Sequence, residues 1–427
     1  RFAPLQWRVI GICALVMFLD GFDGLVIGFV APFIAEDWGL TVGQLSMVFT
    51  VSSAGIALGY FTVGPIADRF GRRPVILATV LAFGLLTVAS AASRNINDLL
   101  VLRAAAGIAL GAAIPNIVAL LFEFSPPKYR AGLVSMLFAI YGCGVAASGA
   151  VTRAIAPEVG WQSVLLLGGG VAVALGLALI AFLPESIEFL AHKGTDLPRA
   201  TRLLRQIVPG LPDGWHAGLS AARGKEKLPV MMLFQEGRAP ISILIIIAVA
   251  LNQAEVVVLN SWLPTLLKTA GQQIEVAIKS AVVFQVGAIC GNVSAGVAFI
   301  GRSSVQVLVL LVAAEVLAAG SLVGIGFSLH SVGLTMVLAF VSGLSIAFCL
   351  GGMHAVTTSY YTTAMRATGY GTAAAAGRIT ASLAPAFVGF LLTSGLVLSG
   401  VFAGIAAPLV VGAIAMFLLW RLHPRAA

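Results

Sequence analysis

The chain has 427 residues, 59% of them hydrophobic and only 10% charged, with a mean hydropathy of +1.02. A soluble globular protein carries about 25% charged residues, so this composition excludes one and points to a chain dissolved in lipid. The net charge of +8 calls for no nucleic-acid partner; what it means depends on where the charges fall.

About 20 apolar residues at a rise of ~1.5 Å each cross the hydrocarbon core of a bilayer. Twelve runs meet that requirement: Trp7–Ile34, Gln44–Gly64, Val75–Ser93, Leu99–Phe122, Gly132–Ile155, Gln162–Leu183, Ile241–Leu267, Ile274–Ile300, Val305–Leu329, Val332–Thr357, Tyr370–Ser394 and Val397–Arg421. An even number of spans puts both termini on one side, and nineteen of the 25 Lys/Arg then share that side. The positive-inside rule makes it the cytoplasmic one, which predicts an integral membrane protein with both termini in the cytoplasm and surrounding lipid as its partner. No charged-then-apolar leader precedes the first span, so no removable signal peptide is expected. Cys13, Cys143, Cys290 and Cys349 all lie in apolar segments and read as small packing residues, not as a disulfide frame or metal site.

The first span holds Leu19-Asp20-Gly21-Phe22-Asp23-Gly24. Two carboxylates inside a spanning helix cost on the order of 3 kcal/mol each on the insertion scale. Their spacing of three places them on one side of a helix, where a single wet or paired surface serves both. A loop broken at Gly21 and Gly24 is the competing reading; the uncharged run Leu25–Phe33 argues against it.

The one long polar segment, Pro184–Pro240, contains Pro198, Pro209, Pro212 and Pro229 and an amphipathic piece around Ala200–Val208. It predicts a cytoplasmic linker on the membrane surface (residues 184–240) between two six-helix bundles, residues 1–183 and 241–427. A shift of 232 residues lays Pro32 on Pro264, Gly59 and Gly64 on Gly291 and Gly296, Asp20 on Asn252 and Asp23 on Glu255. Arg130-Ala131-Gly132 is echoed, with slight drift, by Arg366-Ala367-Thr368-Gly369. The expected fold is an all-α membrane protein of twelve transmembrane helices in two pseudo-symmetric bundles, with a site between them at mid-depth.

After span two comes Gly64-Pro65-Ile66-Ala67-Asp68-Arg69-Phe70-Gly71-Arg72-Arg73-Pro74, read as a loop. An acid beside a basic cluster at a helix junction can hold one arrangement through ion pairs and release another, while Gly64 and Gly71 allow close contact and a turn. This stretch resembles the signature of the major facilitator superfamily, and Arg103 to Asn116, with Gly107, Gly111 and Pro115, resembles its fourth-span motif. Asp20-Gly21-Phe22-Asp23, Pro184-Glu185-Ser186, Leu233 to Arg238, Trp262-Leu263-Pro264 and Arg366 to Gly369 make the chain similar, over nearly its whole length, to the aromatic acid:proton symporter family. That resemblance implies uptake of benzoate-type carboxylates driven by inward proton movement. It maps functional acids to Asp20 and Asp23, span basic residues to Arg103 and Arg378, and gating groups to Asp68, Arg69, Arg72, Arg73 and Glu123. The sequence departs from the family at Phe299 to Ser304, which lacks the second-half acid and basic cluster, and at Asn252, Gln253, Glu255 and His354, which suit a more polar or larger acid.

Read from the residues, Arg103 within span four needs a carboxylate from protein or substrate, and both remain open. Arg378 has no obvious acidic partner in its half, which favours a ligand. Glu123 is structural or gating, paired with Arg69, Arg72, Arg73 or Arg130. The shift predicts that Glu255 faces Asp23 across a central hollow and joins in proton coupling; the alternative takes it to the outer interface. Glu315 is expected to face a neighbouring helix or lipid headgroups. His354 reads as a proton relay, a ligand donor or a satisfied core residue. Tyr141 and Phe138 are the candidates for stacking on a ligand, whereas Phe22, Phe49, Tyr60, Trp262, Phe284 and Phe348 read as lipid-facing or packing residues. Together these predict a monomeric symporter that imports an organic anion with protons by alternating access. Symport of a non-aromatic acid (a sugar acid or muconate-like compound) and proton-driven efflux are the rivals. Paired histidines at metal spacing, a supported Ser/His/Asp set and a nucleotide loop are all missing from the sequence, so no enzyme, cofactor, metal or catalytic residue is expected.

Overall fold

A computed structural model of the chain describes residues 2–126, 129–192, 197–207, 230–299, 302–361 and 365–422, apart from the side chains at positions 68, 131, 135, 191, 192, 304, 354, 355, 358, 359, 366 and 367. The first six long helices are α1 (Pro4–Trp38), α2 (Val42–Phe70), α3 (Arg72–Ala91), α4 (Ile96–Phe124), α5 (Arg130–Val159) and α6 (Trp161–Phe182). Short helices α7 (Ile187–His192) and α8 (Leu197–Ile207) follow. The last six are α9 (Ala239–Thr269), α10 (Ile274–Ala298), α11 (Ser304–Phe327), α12 (Val332–Tyr360), α13 (Arg366–Thr393) and α14 (Leu398–Leu422). Twelve of them are long and apolar enough to cross a membrane, and each covers one of the expected spans. Without water in the bilayer core every backbone polar group must bond within its own helix, which is why these runs stay helical even through Pro32, Pro65, Pro115 and Pro264.

Local sequence sets several helix ends. Thr41 and Gln44 bond reciprocally at the start of α2, Gln44 N donating to Thr41 Oγ1 at 3.3 Å and Thr41 N to Gln44 Oε1 at 2.9 Å. Asn95 Oδ1 accepts the Asp98 N–H at 2.9 Å and opens α4. The expected loop Gly64–Pro74 is corrected: α2 continues through Pro65 to Phe70, and Gly71 alone, at φ 98°, turns the chain into α3. A positive φ of this kind is what glycine tolerates. Gly64, expected to allow close contact, meets only open space.

The two halves repeat one packing scheme. In the first, Gly55 and Gly59 of α2 lie so close to the Ala104 and Ile108 carbonyl oxygens of α4 that a Cβ would overlap them. In the second, Gly287 and Gly291 of α10 meet the Phe340 and Leu344 carbonyls of α12 in the same way. The second helix of each half repeats at a shift of 232 (55 to 287), the fourth at 236 (104 to 340). A difference of four residues, about one helical turn, accounts for the drift seen at Arg130 and Arg366.

Toward the face opposite the termini the halves share one core, in which Phe29, Phe49, Trp262 and Phe284 are buried together. Toward the terminal face the core divides in two, one part around Ile10, Phe83 and Phe124 and the other around Val249, Met353 and Met416. Contacts between halves cluster at the shared end. Phe49 and Trp262 meet edge to face with centroids 5.0 Å apart, Ser46 Oγ donates to the Pro385 carbonyl at 3.2 Å, and Gly28 seats against the Asn260 carbonyl. Lys268 Nζ donates to the Pro32 carbonyl at 3.3 Å and pairs with Glu36, and Arg153 lies 4.0 Å from Glu275. The halves are thus closed against each other at this face. The amphipathic piece of the linker is α8, whose Leu203, Leu204 and Ile207 pack on the first-half core; that apolar face is taken by protein, not left for the membrane surface.

Overpacking a helix contact costs about 1–3 kcal/mol. Gly111→Val, which drives a side chain into the Ile56 backbone, is expected to lower the melting temperature of the detergent-purified protein. Gly64→Ala is expected to leave it unchanged, as a thermal melt of both variants will show.

Candidate functional site

α1 runs unbroken through Leu19 to Gly24, and its two glycines serve packing: Gly21 seats against the Tyr141 carbonyl, and a Cβ on Gly24 would sit 3.7 Å from the Tyr141 hydroxyl. Asp20 and Asp23 are both buried, at 3% and 2% exposure. Three residues advance a helix by roughly 300°, which turns the second side chain about 60° from the first. That turn is enough to send the two carboxylates to different partners.

Asp23 points to α3 and α4. Its Oδ2 accepts the Thr87 hydroxyl at 2.7 Å, and Arg103 Nη1 lies 3.9 Å from Oδ1. Arg103 Nη2 in turn donates to Thr87 Oγ1 at 2.7 Å and Ser90 Oγ at 2.9 Å, while Nε donates to Ser90 Oγ at 3.1 Å. The guanidinium is 3% exposed and enclosed by first-half groups. Of the two carboxylate sources open to Arg103, the protein's own is the one it reaches.

Asp20 points to α5 and α13. Its Oδ1 has no hydrogen-bond partner, and it lies within electrostatic range of Arg378 and of Asp23. Tyr141 is within range of both Asp20 and Arg378. The Arg378 guanidinium rests on the Tyr60 ring, 5.0 Å from its centroid, and Tyr370 of α13 lies near both. Among the described residues Arg378 makes no hydrogen bond and no ion pair within 4.0 Å. Asp20 and Tyr141 from the first half and Arg378 from the second therefore meet at mid-depth, with two further tyrosines beside the arginine. Tyr60, read as lipid-facing or packing, has no charge or spacing to mark it in the sequence. Phe138 is 40% exposed, and no described contact ties it to this cluster. The His354 side chain lies outside the described residues.

Glu255 does not reach Asp23, which corrects the expected pairing across the hollow. It is buried, and the charge acting on it is Glu315 of α11. Of the two places expected for Glu315, a neighbouring helix or lipid headgroups, it takes the first: it is 0% exposed and accepts the Asn252 Nδ2 of α9 at 3.1 Å. The 232-residue shift sets Glu255 beside Asp23 in the repeat, but a residue matched by a repeat takes the same place in the other half and does not face across.

At the terminal face, Glu123 pairs with Arg72 at 2.8 Å and accepts the Ser186 hydroxyl at 2.7 Å. Glu185 Oε1 accepts the backbone N–H groups of Arg72 and Arg73, both at 3.0 Å. A carboxylate at the start of α3 suits the positive end of its dipole and replaces the cap that Gly71 lacks. Arg73 Nη2 donates to the Ile180 carbonyl at 2.6 Å, and Arg69 rests over Phe70. The Asp68 side chain lies outside the described residues. Sequence reading missed Glu185 as a member of this network, although Pro184-Glu185-Ser186 marked the place.

Twelve spanning helices in two like sets, with ionisable groups at mid-depth and a charged junction between α2 and α3, are accompanied by a match of residues 13–314 to the Major Facilitator Superfamily model. The chain belongs to this superfamily, whose members are transporters. As a major facilitator it is similar to the 4-hydroxybenzoate transporter PcaK of Pseudomonas aeruginosa, 33% identical over 89% of this chain and 85% of that one. It is likewise similar to a gallate transporter of Pseudomonas putida, 32% identical over 97% of this chain and 92% of the relative. In fold it resembles the partially occluded, inward-open xylose transporter XylE from E. coli, with a TM-score of 0.76 at 18% identity over 98% of both chains.

Removing one member of a buried pair costs about 3–5 kcal/mol because the other is left charged and alone. Arg103→Ala is expected to melt well below the parent protein, and Asp23→Asn combined with Arg103→Gln to recover part of the loss. Thermal melts of the purified single and double variants measure the difference.

Proposed function

We propose that this transporter imports a hydroxylated aromatic carboxylate together with protons, by alternating access across a bacterial inner membrane with both termini in the cytoplasm. One observation carries the reading: Arg378 is a half-buried guanidinium at the meeting of the two halves, stacked on Tyr60 and without an ion-pair partner among the described residues. A planar guanidinium binds a carboxylate through paired hydrogen bonds, and the adjoining tyrosine rings offer faces for an aromatic ring and hydroxyls for a phenol. Relatives named for 4-hydroxybenzoate and gallate, both hydroxylated benzoates, support that substrate class. The Lys/Arg excess on the terminal side supports cytoplasmic termini. Because the site lies between two halves of one chain, a monomer suffices.

Proton coupling follows from competition for one cation. With the site empty, Arg378 is the counter-charge within range of Asp20. A substrate carboxylate that engages Arg378 takes that compensation away, and Asp20, buried with Oδ1 unpaired, then binds a proton. Anion and proton therefore load together and neutralise the site, which lowers the cost of closing low-dielectric walls around it. Asp23 supports this indirectly by holding α1 to α3 and α4 through Thr87 and Arg103. The Arg72–Glu123–Ser186 network braces the terminal face of the first half, and its ion pair is suited to re-forming as the halves rock.

Arg378→Lys keeps the charge but loses the fork. It is expected to cut uptake of labelled 4-hydroxybenzoate into proteoliposomes at least ~10-fold, the equivalent of about 1.4 kcal/mol of binding. Asp20→Asn is expected to retain binding, seen as a ligand-induced rise in melting temperature, and to lose accumulation driven by a pH gradient. Full accumulation by Asp20→Asn would remove Asp20 from coupling. Net extrusion by the parent protein would replace import with efflux.

A further inference from the structure

The second half contains a cluster that the transport site does not use. Glu255 and Asn252 stand three residues apart on α9, and Glu315 faces them from α11. All three are buried, at 2%, 1% and 0% exposure. One hydrogen bond joins them, Asn252 Nδ2 to Glu315 Oε1, and three oxygens have no partner: Glu255 Oε2, Glu315 Oε2 and Asn252 Oδ1. Glu255 itself makes no hydrogen bond among the described residues, although it is turned toward Glu315.

No arginine or lysine among the described residues acts on either carboxyl. From α12 the group beside Glu315 is the Cys349 thiol, whose own hydrogen bond goes to the Leu311 carbonyl. From α14, Gly412 presents backbone only, and a Cβ there would lie 3.5 Å from Glu315 Oε1. In the first half the corresponding helices, α1 with α3, set Asp23 against Thr87 and bring in the Arg103 cation from α4. The second half keeps the acid, adds another, and supplies no cation. Two carboxylates and an amide oxygen facing one another, with one amide NH2 as donor and a single hydrogen bond among them, are short of hydrogen-bond donors, and in such a place two like charges cannot both persist. Three partnerless oxygens are also few for a sodium ion, and a proton supplies the missing donor outright.

We infer that Glu255 and Glu315 hold a proton between them, a second proton-binding site located inside the C-terminal half. Its position links it to the substrate arginine. Gln253, between Asn252 and Glu255, presses its side-chain amide against Gly377, the neighbour of Arg378 on α13. A change in the charge of the pair moves α9 against the helix that presents Arg378. The site requires no particular cargo, so it stands whether or not the aromatic-acid reading does.

Infrared difference spectra of the substrate-free protein in lipid, recorded in H2O and D2O from mildly acidic to alkaline buffer, test it. The parent protein is expected to show a carboxylic-acid C=O band that shifts on deuteration and is lost in both Glu255→Gln and Glu315→Gln. Glutamine keeps the shape and supplies an N–H where the proton sits, so both variants are expected to melt no lower than the parent. If the parent lacks the band, or if it survives in either variant, the shared proton is excluded. If sodium in place of choline abolishes the band and raises the melting temperature of the parent but not of Glu315→Gln, the cluster is a sodium site and the proton reading is overturned.

Discussion

A carboxylate inside a lipid-spanning bundle must find a counter-charge, a proton or water, because the surrounding dielectric makes it too costly alone. This chain meets that demand differently at each of its buried acids. Asp23 has its arginine within its own half, bridged by a threonine hydroxyl, and the outcome is a fixed tie among three helices. Asp20 has a cation only across the divide between halves, and that cation also rests on an aromatic ring. Among the described residues, Glu255 and Glu315 have each other and an asparagine. A progression from closed pair to split pair to unpaired acids is also one from scaffold to machinery.

The repeat explains how these differences arose on one plan. Glycines on the second and fourth helices of each half bring backbones into contact at matched positions, so the two halves are built by the same close approach of small residues. Upon that shared frame, several of the buried ionisable residues break the repeat. At the 236-residue shift Arg378 of α13 falls on Gly142 of α5, and at the 232-residue shift Glu255 falls on Asp23, with no counterpart of Arg103 beside it among the described residues. The symmetric frame thus carries an asymmetric set of charges.

Much of the architecture was legible because hydropathy and length decide whether a segment spans. All twelve helices fall where the apolar runs fall, and the pairing of Asp23 with Arg103 was one of two readings open from their similar depth. Side-chain direction was harder. In a helix that is apolar all round, no periodic stripe distinguishes the lipid face from the bundle interior, so Tyr60 reads as lipid-facing or packing and Glu315 is left between a neighbouring helix and lipid headgroups. The junction at Gly71 was read as a loop because its charges suggest water. In fact the helix persists to Phe70, and the carboxylate of Glu185, more than a hundred residues away, caps its successor. Contacts of that range have no local signature.

The seal between Lys268 and Glu36 has a further meaning for how the molecule moves. It is exposed to solvent, and ion pairs in such positions contribute about 0–1 kcal/mol and weaken as salt rises. A strong lock there would trap the carrier in one orientation, because a well a few kcal/mol deep leaves the opposite orientation almost empty. A shallow latch over a packed aromatic edge suits a carrier, which needs two orientations close in free energy. Salt in the solution bathing that face then sets how firmly the latch holds.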